Sequence, residues 1–127
     1  GGDLRGAMDT LLDVLRRDDV LQALEAAVLV ELERRRAAVT YVRTPSGREV
    51  DFLARHRDGS TELIQVCADS TNAQTMEREL LALQEAGELY KQATRKLLVL
   101  TREAREPEAP PGVVVQPAYL WLLSPGA

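Results

Sequence analysis

The chemistry this chain could perform centres on a few polar residues set among apolar ones: Glu25, Glu49, Asp51, Gln65 and Cys67. On a helical projection Glu25 falls between Leu21, Val28 and Leu32, on an apolar stripe. A carboxylate there needs a partner, a metal or a polar cleft, because burying it unpaired is costly; otherwise it sits at the stripe's edge and bends out to water. In Arg48-Glu49-Val50-Asp51-Phe52-Leu53, alternation puts Val50 and Phe52 on one strand face and both acids on the other. In Glu62-Leu63-Ile64-Gln65-Val66-Cys67, Ile64 and Val66 share one face while Leu63, Gln65 and Cys67 share the other. If Asp58-Gly59 turns a hairpin, Asp51 lies across from Gln65 and Glu49 across from Cys67, with Cβ atoms about 5 Å apart. One face would then gather Glu49, Asp51, Gln65 and Cys67 beneath a helix carrying Glu25, an acidic cluster of metal-binding size. The plainer reading of the same alternation is a half-exposed strand that shows its charges to solvent.

Charge narrows the partners. The 127 residues carry a net charge of −4, but residues 34–57 hold seven Arg against Glu49 and Asp51, a local excess of +5. Residues 1–33 and 58–127 are acidic, at −5 and −4. Arg34, Arg35, Arg43 and Arg48 could therefore present a local anion-binding face on a mildly acidic protein, or simply a solvated one. His56, between Arg55 and Arg57, reads as a solvated turn residue, Cys67 as a buried thiol, and Tyr90, Tyr119 and Trp121 as core or docking residues. No Gly-x-x-x-x-Gly-Lys-Ser/Thr element is present, so the chain is not expected to bind ATP itself. A single cysteine cannot close an internal disulfide, no Cys/His cluster suits structural zinc, and no apolar run approaches the roughly 20 residues of a membrane span. The composition reads as one soluble, cytoplasmic domain with 45% hydrophobic residues, enough for a core.

The elements that would position these groups follow from periodicity. A first helix is predicted over Met8–Leu15, with Asp9 or Thr10 as N-cap, and a second from Asp18-Asp19 to about Arg36. Strands are expected over Val39–Arg43, Glu49–Arg55 and Glu62–Cys67, joined by turns at Thr44-Pro45-Ser46-Gly47 and Arg57-Asp58-Gly59-Ser60. A long helix over Ala73–Ala93 follows, with Met76, Leu80, Leu83 and Gly87 inward. Then come strands over Lys96–Thr101 and Val113–Gln116, a proline-rich loop over Glu106–Gly112, and a closing helix over Pro117–Leu123. The result is an α/β arrangement with a mixed sheet flanked by helices, residues 1–18 forming a helical linker and residues 19–127 the domain.

A Glu on a helix, an Asp on the second strand and a polar pair on the third resemble the restriction-endonuclease-like PD-(D/E)xK fold. Within it, the chain resembles the uncharacterised C-terminal domain that follows the AAA+ module of many bacterial and archaeal ATPases. The residues carrying the likeness are Leu24-Glu25, Val30-Glu31-Leu32 with Arg34-Arg35, Tyr41-Val42-Arg43-Thr44, Ser46–Phe52 and Leu63–Cys67. It continues through Glu77-Arg78-Glu79, Leu83, Leu98–Thr101 and Pro117–Leu123. The resemblance implies that Glu25 and Asp51 would bind a divalent cation, Mg²⁺ or Mn²⁺, with Glu49 as a substitute ligand. Gln65 stands where the second acid would be and Cys67 where the lysine would be, which removes a charge from the metal site and the ammonium that supports the transition state. Arg78 would be a displaced cation, or pair on the surface with Glu77 or Asp69.

Three functions follow. The first is a non-catalytic, nuclease-like module of an AAA+ ATPase that binds nucleic acid, through Arg34, Arg35, Arg43, Arg48 and Arg78, or regulates the ATPase. The second is a metal-dependent nuclease with a rearranged site at Glu25, Asp51 and Gln65. The third is a protein-interaction or homo-oligomerisation domain.

Overall fold

The computed structural model describes residues 2–68, 72–100 and 109–124, and the side chains of all of these except 2–5 and 10–18. Of the sequence expectations, the prolines and acids of 106–108, together with Asp69 and Thr101, lie outside the described residues.

The first element is one helix, α1 (Gly2–Arg34), rather than two. No Pro or Gly stands between residues 7 and 34, so nothing halts the backbone at Asp18-Asp19, and Asp9 and Thr10 are interior helical positions instead of caps. The helix runs unbroken across the expected boundary between linker and domain. Its end is fixed by Arg36, which takes a left-handed φ of 58°, with the Ala37 N–H donating to the Leu32 carbonyl and the Arg36 N–H to the Glu33 carbonyl. That paired closure satisfies two terminal carbonyls and turns the chain into the first strand.

Five strands follow: β1 (Ala38–Arg43), β2 (Glu49–Arg55), β3 (Thr61–Cys67), β4 (Thr94–Val99) and β5 (Val113–Pro117), with α2 (Ala73–Leu89) between β3 and β4 and α3 (Ala118–Leu123) at the end. They form one sheet in the order β1-β2-β3-β4-β5. The pairs β1–β2 and β2–β3 are antiparallel, while β3–β4 and β4–β5 are parallel. Gly47 and Gly59, at φ of 88° and 89°, turn the two hairpins. The sheet separates two cores. On one face α2 packs Met76, Leu83 and Ala86 against Val50, Leu63, Cys67, Leu97 and Val99. On the other, Leu24, Val28 and Leu32 of α1 and Trp121 of α3 cover Ala54, Ile64, Val66 and Leu98. The molecule is an α/β fold with a mixed five-stranded sheet flanked by helices.

One feature of the strands departs from simple alternation and decides the site. On β1–β2, Thr40 pairs with Leu53 and Val42 with Val50, so Tyr41 alone faces the two residues Asp51 and Phe52. The extra residue is a β-bulge. It reverses the faces: Val50 lies in the α2 core and Phe52 against the α1 core, not side by side as strict alternation required.

Candidate functional site

The bulge places Asp51 where the sheet opens. Backbone pairing between β2 and β3 runs from Arg55↔Thr61 to Phe52↔Ile64. Beyond it, side chains replace the ladder. The Asp51 N–H donates to Gln65 Oε1 at 2.8 Å, Gln65 Nε2 donates to the Glu49 carbonyl at 2.9 Å, and the Val66 N–H donates to Asp51 Oδ2 at 2.9 Å. Both ends of the Gln65 amide are thus spent on the β2 backbone, and the Asp51 carboxylate accepts the amide that the next rung of the ladder would otherwise hold.

Beside this fork lies a cleft of about 320 Å³ lined by Gly47, Arg48, Glu49, Asp51, Gln65, Arg78, Glu79 and Ala82. Its far wall is the first half of α2, whose start is fixed by Asn72, the N-cap residue, accepting from the Thr75 N–H at 3.0 Å. Burial pushes the Asp51 carboxyl up to about 7, opposed by the Val66 N–H and reinforced by the charges of Glu25, Glu79 and Glu49. Burial likewise raises Glu79, against bonds from Arg78 and Gln65, and raises Glu25. The cleft therefore gathers carboxylates that resist ionising together.

The sequence candidates are placed unevenly. Glu25, half-buried on α1, acts on Asp51 and Glu79 through its charge but does not line the cleft. Glu49 is exposed and accepts from the Tyr41 hydroxyl at 2.7 Å. Cys67 is buried in the α2 core. Glu79, which sequence reasoning did not single out, is the acid that α2 brings to the cleft. It sits three residues after Met76 and four before Leu83, so the stripe argument applied to Glu25 would have found it.

A divalent cation fits this set poorly. Gln65 Oε1 is already engaged by an amide, and among the described residues no three His, Cys, Asp or Glu side chains converge to hold a metal.

The arginines divide in the same way. Arg35 has a side chain only 5% exposed: it bonds Glu31 at 2.6 Å, donates to the Trp121 and Ser124 carbonyls at 3.0 Å each, and lies 4.5 Å over the Trp121 ring. Arg34 shares Glu31, whose carboxyl these two guanidinium groups hold down at about 2. Arg35 is thus a structural residue that ties α1 to α3, and the expected anion face loses it. Arg48 and Arg78 rim the cleft in loose pairings with Glu85 and Glu79, 3.7 Å each, and Arg43 is exposed.

His56 corrects a second expectation. It is buried, not a solvated turn residue, because Glu62 across the hairpin accepts from its Nε2 and Lys96 on β4 closes on the other Glu62 oxygen at 2.6 Å. Burial pushes the Glu62 carboxyl up, but Lys96 and His56 outweigh it and leave it below the usual range. Trp121 is fully buried as expected, whereas Tyr90 and Tyr119 are exposed. Among the described residues no helix is long and apolar enough to cross a membrane. Comparison with protein-family models, curated proteins and solved structures finds no match for the chain.

Proposed function

We propose that the chain is a non-catalytic, nuclease-like module that binds nucleic acid at the Asp51 cleft and works beside an AAA+ ATPase. The observation that carries the reading is the Gln65 amide, whose two ends are committed to the β2 backbone. A residue holding the strands apart in this way is not available to ligate a metal, and the buried Cys67 supplies no ammonium. The three layers and the acid at the strand fork support the restriction-endonuclease-like core that the resemblance implies. Arg48 and Arg78 support binding: they flank the opening, with side chains 38% and 69% exposed, and long pairings leave their donors open to phosphate.

The test has two arms. A supercoiled plasmid incubated with Mg²⁺ or Mn²⁺ should stay intact, while fluorescence anisotropy should show salt-dependent, sequence-indifferent binding of DNA or RNA at low salt. Nicking that disappears in Asp51→Ala would establish a nuclease instead. Absence of binding at about 50 mM salt would favour a protein-interaction role, for which Tyr119, Leu120 and Leu123 of α3 offer exposed apolar surface.

A further inference from the structure

The second half of α2 borders a different feature. Arg95, the second residue of β4, lies on the α2 side of the sheet, pairing in register with Leu63 and Val113. Its side chain runs through a slot cleared by two glycines from different elements. A Cβ on Gly87 of α2 would stand 2.6 Å from the Arg95 Cδ, and one on Gly112, before β5, would stand 2.2 Å from its Nη2. Gly112 has φ of 85° and suits its turn for that reason alone. Gly87 has no such excuse: it lies inside a helix, where glycine is less favourable than alanine. What the helix gains is passage for the guanidinium.

Among the described residues the guanidinium so held has no carboxylate partner. Among the described residues the Arg95 side chain makes no ion pair and donates no hydrogen bond, although it lies by the last turn of α2, whose dipole favours a cation. Arg34, Arg35, Arg48 and Arg78 each meet an acid, and the other described arginines without an ion pair, Arg36, Arg43, Arg55 and Arg57, are exposed, whereas Arg95 is half-buried. Arg95 faces a groove of about 520 Å³ whose lining includes Lys91, Gln84 and Glu88. A planar fork of N–H donors, positioned by backbone on two sides and joined by an ammonium, is suited to an oxyanion that can take two parallel bonds.

From this we infer that the Arg95–Lys91 groove is a phosphate-binding site, with Arg95 as the bidentate contact and Lys91 as a supporting charge. It lies along α2 from the Asp51 cleft and does not depend on whether that cleft binds nucleic acid. The phosphate is either a free or small-molecule monoester or one presented by a nucleic-acid strand.

Titration of the whole chain with inorganic phosphate, followed by amide NMR at matched ionic strength against chloride, tests it. The expected result is saturable shifts at Lys91–Arg95 and Gly112, with affinity at least about tenfold weaker in Arg95→Ala and intermediate in Arg95→Lys, which keeps the charge but loses the fork. Gly87→Ala should weaken phosphate binding as well, by displacing Arg95, while circular dichroism shows the fold retained. Phosphate acting no differently from chloride, or binding Arg95→Ala as tightly as the parent chain, overturns the site. A short oligonucleotide that competes for the same amides identifies a strand as the phosphate's source, and one that does not identifies a free phosphate. Loss of DNA binding in Arg48→Ala or Arg78→Ala with phosphate shifts intact separates this site from the Asp51 cleft.

Discussion

Asp51 and Gln65 meet through side chain and backbone together: the Asp51 N–H reaches Gln65 Oε1 at 2.8 Å, and the Asp51 carboxylate turns to the Val66 N–H at 2.9 Å. The fork in the sheet is thus held open by two polar side chains standing in for ladder bonds. Each of them has a cost if altered, because strand amides and carbonyls left without partners in a half-buried place lose on the order of 1–3 kcal/mol.

Gln65→Glu tests whether this residue is structural. A glutamate can accept from the Asp51 N–H but cannot donate to the Glu49 carbonyl, and it adds a charge beside Asp51 and Glu79. The expected loss of stability is about 1–3 kcal/mol at neutral pH, read from the urea midpoint with unchanged slope. A more stable variant that also nicks plasmid in Mn²⁺ would instead make Gln65 a lost metal ligand.

Asp51 predicts a pH dependence of definite sign. Its carboxyl titrates at about 7 in the folded chain, above its unfolded value, so the folded state holds the proton more tightly. The stability this proton linkage contributes is full below about pH 4 and is lost as the pH rises to about 7. Asp51→Asn keeps an acceptor for the Val66 N–H and removes the charge. Its stability should match the parent near pH 4 and exceed it by about 1–3 kcal/mol near pH 8. Denaturation curves at the two pH values check this, and a constant difference between the chains would contradict it.

Glu62 carries the opposite sign. Lys96 and His56 hold its carboxyl below the ordinary value, so its contribution is present above the unfolded pKa and disappears as the pH falls through the folded one. The combined contribution of Glu62 and Asp51 is greatest at mildly acidic pH. Glu62→Ala, which strands a buried imidazole and an ammonium, should cost about 2–4 kcal/mol at neutral pH. Lys96→Met paired with Glu62→Gln should cost less than the sum of the single changes, in a double-mutant cycle by denaturation.

Much of the fold was legible because each strand is a compact apolar run between turn residues, and Asp58-Gly59 and Ser46-Gly47 fix the hairpins. The continuous α1 was not, since acids at Asp18-Asp19 imitate a helix start when only Pro or Gly would have enforced a break. The facing of Phe52 was hidden as well: a bulge leaves no periodic trace, and it arises from pairing with β1, a non-local event. His56 was misread for a similar reason. Its neighbours Arg55 and Arg57 are exposed, but its partner Glu62 is supplied from the next strand and Lys96 from beyond a helix.

The arginines can be sorted by experiment. Arg35 joins Glu31, two carbonyls at the end of α3 and the face of Trp121, so Arg35→Ala removes several bonds at once and should cost about 2–4 kcal/mol. Its effect on nucleic acid should be confined to that loss of folding. Arg48→Ala and Arg78→Ala change exposed or loosely paired groups and should move stability by no more than about 0.5 kcal/mol. If these two hold phosphates at the Asp51 cleft, each variant should weaken binding across all sequences and lower the slope of log affinity against log salt by about one. Anisotropy titrations at four or more salt concentrations, beside a denaturation curve for each variant, distinguish the cases. An unchanged slope in both Arg48→Ala and Arg78→Ala, with binding intact, would move the nucleic-acid contact away from the cleft altogether.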